Sequence, residues 1–208
     1  MWRTLASILA SAILLTAPAA AVYASSPVRS EKSADQWTQI LTLPPGQTEA
    51  STTRPMRSDI CAALLAAYPG HTRADCVTYY TLRVVRDGEA KAGLSAPAPS
   101  TLPTYYCNVT VEGYAHNLGW GATVTQRFCV WQNVWAYPAP AGTQCNNWWA
   151  VWPFSLAVTW CGGGRSGWYA DGGENLTISS QFISYGAGQR VSLTANYVPG
   201  WSCWNALC

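Results

Sequence analysis

Charge is the first thing this sequence lacks. Of 208 residues only 12 are Lys or Arg and 10 are Asp or Glu, and no lysine occurs after Lys91. So nearly neutral a chain has no basic stripe to follow a phosphate backbone, which argues against nucleic acid as a partner. It also lacks the polybasic patch that an anionic membrane surface would attract. Histidine is nearly missing too: His71 and His116 stand alone. Neither has ligand spacing to a cysteine pair and no Cys-x-x-Cys occurs, so no metal site and no cofactor are expected.

Long apolar runs are also absent. The run from Leu5 to Leu15 is short of the roughly 20 residues a spanning helix needs, and Pro18 follows it. With Arg3 before it and Ala19-Ala20-Ala21 or Val22-Tyr23-Ala24 after it, the segment has the three parts of a secretory signal peptide. No cysteine follows the cut before Cys61, and the apolar stretch Trp148–Trp160 carries Pro153. No transmembrane anchor is expected once residues 1–24 are removed, and the expected location is extracellular or at the cell surface.

What is present is cysteine and tryptophan. Eight cysteines in an exported chain read as a disulfide framework, although eight allow 105 connectivities. Sequential pairing closes short local loops, each within or beside one expected supersecondary unit: Cys61–Cys76, Cys107–Cys129, Cys145–Cys161 and Cys203–Cys208.

Composition divides the mature chain near residue 100. Residues 25–57 form a polar leader with several prolines, read as a spacer in which Trp37–Leu41 could dock locally. Residues 58–86 follow as a small helix–strand element, stapled by Cys61–Cys76, that either packs on the following domain or is a loosely held, pro-segment-like appendage. Ser58 is the expected N-cap, Ile60, Leu64 and Leu65 the apolar face, and Tyr68-Pro69-Gly70 the stop, with a strand over Val77–Val85. Residues 87–104 have the Pro/Ala/Ser composition of a linker.

From residue 105 to 208 lie ten of the twelve tryptophans, with only Glu112, Asp171 and Glu174 as acids. Short alternating runs between turn residues predict strands over Cys107–Glu112, Ala122–Trp131, Phe154–Cys161, Leu176–Tyr185 and Gln189–Val198. Gly186-Ala187-Gly188 reads as the hairpin loop of the last two, and Asp171–Asn175 as a glycine-rich turn with solvated charges. The expected fold is mainly β: a disulfide-stapled antiparallel β-sandwich or barrel-like domain, preceded by the helix–strand element. Cys107, Trp120 and Cys161 approximate the Cys…Trp…Cys order of immunoglobulin domains. The tyrosine of that frame is replaced by Thr159, and no function is carried over.

Tryptophan replaces missing aliphatics in such a core, with Trp160 expected inside and either Phe128 or Trp131 beside it. Others cannot be absorbed: successive residues of a strand point to opposite faces, so Trp148 and Trp149 cannot both be buried under a one-sided sheet. Aromatics beside amides mark the candidate ligand residues: Trp135, Tyr137, Asn146, Asn147, Trp148, Trp149 and Trp168. A flat ring covers the C–H face of a sugar while amides bond its hydroxyls. The expectation is therefore a secreted, non-catalytic protein binding glycan or cell-envelope material, with a protein partner at the cell surface as the alternative. A hydrolase would have to draw on Glu112, Asp171, Glu174 and His116, with no Gly-x-Ser-x-Gly to help. Two N-glycosylation patterns, at Asn108 and Asn175, are treated as incidental.

Overall fold

The structure, a computed structural model, describes residues 37–86, 105–181 and 183–208. The expected signal peptide (1–24) and linker (87–104) lie outside the described residues. The elements are β1 (Thr38–Thr42), β2 (Glu49–Pro55), α1 (Ser58–Ala67), β3 (Val77–Arg86), β4 (Tyr105–His116), β5 (Trp120–Trp131), β6 (Trp135–Ala150), β7 (Ser155–Gly163), β8 (Tyr169–Ser179), β9 (Ser184–Thr194) and β10 (Pro199–Asn205). They form two five-stranded antiparallel sheets, ordered β1-β10-β9-β8-β7 and β2-β3-β4-β5-β6.

The topology is an up-and-down circuit: the chain meanders β2 to β6 through one sheet, steps across, and returns β7 to β10 through the other, beside β1. This is not the Greek key of an immunoglobulin domain. The four disulfides follow the sequential pairing, so Cys107 joins Cys129 rather than Cys161. Cys145–Cys161 ties β6 to β7, the two edge strands between which the chain changes sheet.

Alternation puts apolar side chains between the sheets. Val109, Val111 and Ala115 of β4 and Ala122, Val124, Phe128 and Val130 of β5 face Leu176 and Ile178 of β8 and Val191 and Leu193 of β9. Trp201 of β10 fills the middle, tilted against Tyr80 with ring centroids 5.0 Å apart. Burying an indole this completely contributes on the order of 5 kcal/mol of transfer free energy.

The structure corrects several sequence expectations. The leader over 25–57 contains β1 and β2, whose polar character suits edge strands: β1 pairs only with β10, and β2 only with β3. The helix–strand element precedes the Trp-rich region in the chain as expected, and it packs on that region: β3 hydrogen-bonds along β4. The α1 N-cap is Arg57, one residue earlier than expected, while Ile60 and Leu64 are buried as the helix pattern requires. Gly186-Ala187-Gly188 lies inside β9, and the hairpin turns between Ser179 and Ser184. Those glycines are seats for a ring: the Trp204 indole lies over Gly186 and Gly188. Asp171–Asn175 likewise lies inside β8 with both carboxylates buried. There Gly172 leaves room for the Gln126 side chain reaching over from the opposite sheet.

Trp160 is also corrected. A β-bulge between Val158 and Trp160 shifts the alternation, so Trp160 pairs with Asn175 on the outer face and is 39% exposed. Phe128, not Trp131, is the core residue of its pair.

Candidate functional site

A row of three tryptophans forms at one end of the sandwich. Trp131 of β5 is the direct cross-strand partner of Trp135 of β6. Ala136 and Gly167 exchange backbone hydrogen bonds of 2.6 and 2.8 Å, which sets Trp168 across from Trp135. Residues directly opposite on antiparallel strands share a face. Trp131 lies on the outer face because Val130 beside it is buried in the core, and Trp135, its direct partner, follows it; Trp168 is next in the chain to the bridged Gly167. Their exposures are 46%, 48% and 53%.

The row stands on turns that brace one another. Asn133, in the β5–β6 turn, has φ 57°, a left-handed conformation that Asn tolerates. Its N–H donates to Ala195, whose own N–H donates to the Trp168 carbonyl. Gly167 has φ 149°, which a side chain would strain, and this turns the chain so that Trp168 follows. The loop before it is held by Asp171, whose side chain is almost fully buried. Asp171 accepts from the Arg165 backbone N–H at 2.7 Å and its Nε at 3.0 Å, with Arg190 Nη1 at 3.7 Å. Rings fixed this way bind with little ordering cost.

Of the residues expected from sequence, Trp135, Tyr137 and Trp168 gather at this end. Tyr137 turns its hydroxyl toward Cys107 Sγ, 4.0 Å away. The other four lie at the far end of β6. Trp148 pairs with Ala122 and Trp149 with Gly121, on opposite faces, and Asn147 pairs with Thr123. Asn146 is exposed next to them. Sequence reasoning missed Trp131, whose outward direction could have been read from the alternation once Phe128 was placed inside.

It also missed the company that Trp149 keeps. The His116 ring stacks on Tyr79 (centroids 5.1 Å, planes 17° apart) and on Tyr114 (4.6 Å, 15°). Trp149 Nε1 donates to the Tyr114 hydroxyl at 3.4 Å, and its indole covers Gly121. Burial lowers the His116 pKa from its ordinary value, which keeps the ring neutral.

The four groups available to a hydrolase do not converge. Glu174 points between the sheets, where burial raises its pKa to about 7. Gln189 donates to its Oε1, and Gln189 in turn accepts from Trp201 Nε1 at 3.1 Å. Asp171 lies under the β7–β8 loop on the outer side of the other sheet from Glu112 and His116. Those two are four residues apart on β4, or about 13 Å. A concavity of about 340 Å³ opens by the β6–β7 seam between Pro138–Ala141 and Cys161–Gly163. Among the described residues no three His, Cys, Asp or Glu side chains group as a metal-ligand set. All eight cysteines are in disulfides.

No protein-family model, no curated protein and no solved structure matches this chain.

Proposed function

We propose that this is a secreted, non-catalytic glycan-binding protein whose binding platform is the Trp131–Trp135–Trp168 row. The observation that carries the reading is the group itself: Trp131 and Trp135 as cross-strand partners, with Trp168 next to the bridged Gly167, each about half exposed at one end of the sandwich. A flat, uncharged aromatic surface matches the C–H face of pyranose rings. Gln132, Asn133 and Ser166, close to these tryptophans in the chain, carry amide and hydroxyl groups of the kind that bond sugar hydroxyls. Secretion is supported by the signal-like first two dozen residues and by four disulfides, which persist in oxidising compartments. Among the described residues no helix is long and apolar enough to cross a membrane.

Titration with soluble neutral polysaccharides should quench or blue-shift tryptophan emission. Trp135→Ala and Trp168→Ala should each remove the response without lowering the melting temperature appreciably. The reading fails if no saccharide in a broad panel changes emission. Val134, exposed beside Trp135, is the feature that favours a protein partner instead. Saturable binding to intact cell-surface protein that survives glycan removal would support that alternative.

A further inference from the structure

The outer face of the β2–β6 sheet carries a second aromatic group, at the end opposite the tryptophan row. Tyr79, His116, Gly121 and Trp149 are consecutive cross-strand partners on β3, β4, β5 and β6. Tyr114 adds a fourth ring, stacked on His116 and hydrogen-bonded from Trp149. Gly121 is the position that makes this flat, because a side chain there would meet Trp149 Nε1 at 2.4 Å. Tyr79 and Trp149 are exposed.

β5 passes beneath both groups without an irregularity of its own: the extra residues of its pairings fall in β4 and β6. Gly121 and Trp131 therefore point to the same side of the sheet, separated along the strand by about 33 Å. Between them the face presents the partly exposed Thr81 and Thr125. Arg83 and Glu112 lie side by side there with opposite charges, and Arg127 donates to the Cys107 carbonyl at 2.7 Å. Neither aromatic group includes an acidic, lysine or arginine side chain, and the middle sets Arg83 and Arg127 against Glu112.

Resting on the glycan reading, we infer that the two aromatic groups are the ends of one extended site, and that its ligand is a long neutral polysaccharide chain lying along β5 rather than a short oligosaccharide or a chain terminus. A chain too short to reach both ends engages one group. A longer one engages both, and the second contact forms at high effective concentration.

The test uses the whole oxidised protein and a soluble neutral β-glucan with its fragments of graded length. Affinity should rise by about a hundredfold once fragments exceed the span between the groups. Tyr79→Ala and Trp149→Ala should abolish that rise, so that long fragments bind no more tightly than short ones, while Tyr79→Phe, which keeps the ring, should retain it. Affinity that does not change with length, or a length effect untouched in both Tyr79→Ala and Trp149→Ala, would overturn the inference and leave the tryptophan-row reading standing. Short-fragment binding unaffected by Trp135→Ala would remove the tryptophan-row reading itself.

Discussion

The Trp201 indole occupies the space where a side chain on Gly113 would stand. A methyl group at Gly113 would come within 2.0 Å of Trp201 Cδ1 and 2.2 Å of its Nε1, and Val191 would crowd it from another side. Trp201 comes from β10 and Gly113 from β4, so this contact sets how closely the two sheets approach. Gly113→Ala should therefore destabilise by at least the 1–3 kcal/mol typical of overpacking, roughly, because the ring cannot retreat. Denaturant unfolding of the oxidised protein measures it.

Tryptophans inside and outside should behave oppositely. Trp201→Ala removes a fully buried ring and should cost roughly 3–5 kcal/mol. Trp135→Ala removes a half-exposed one and should cost less than about 1 kcal/mol, while taking saccharide binding with it. Unfolding midpoints and emission titrations on both variants separate the two roles.

Glu174 makes stability fall with rising pH. Its carboxyl titrates at about 7 in the fold against 4.5 for an unperturbed glutamate, so the folded chain holds the proton more firmly. The contribution is complete below the unfolded value and is lost as pH rises from 4.5 through about 7, by about 3 kcal/mol in all. Glu174→Gln should be increasingly stabilising relative to the wild type as pH rises across that window. A difference between the two proteins that stays flat with pH would contradict the burial argument. Comparing the pair cancels groups such as His116, whose lowered pKa acts in the opposite direction.

Asp171 should couple stability to binding. Removing its carboxylate in Asp171→Ala leaves the Arg165 N–H and two guanidinium groups without their acceptor. A loss of roughly 1–2 kcal/mol is expected, because the bond to the Arg165 backbone N–H is lost while the guanidinium groups, being partly exposed, return to water. The loop that presents Trp168 should loosen at the same time, visible as faster amide exchange over residues 164–168 and weaker saccharide binding.

The Cys145–Cys161 bond should matter most at the seam. Replacing both cysteines by serine opens a loop with a sequence separation of 16 and should cost about 3 kcal/mol. Amide exchange should accelerate along β7 more than along β8, because β7 is the edge strand.

Much of the fold was legible in the chain itself. Strands β4, β5 and β7 follow from alternation, and α1 from the spacing of Ile60 and Leu64. Glycine was the systematic source of error. Gly172 and Gly173, and Gly186 and Gly188, look like turns because glycine is the common turn residue, yet all four lie within strands. The reason for Gly172 and Gly188 sits on another strand: a Gln126 side chain or a Trp204 ring that needs the space. No local pattern announces a partner so distant in sequence. Trp160 failed similarly, since one bulged residue reversed its direction.

The candidate site divides along the same line. Sequence alone established the excess of aromatics, the shortage of charge and the opposed directions of Trp148 and Trp149, because residue type and strand periodicity are local properties. Which rings meet was decided only by tertiary structure. Trp168 joins Trp135 through a bridge to Gly167, and Trp149 joins Tyr79, Tyr114 and His116 through register across four strands. Register depends on bulges, glycine seats and turns acting together, and these take their meaning from the strands beside them.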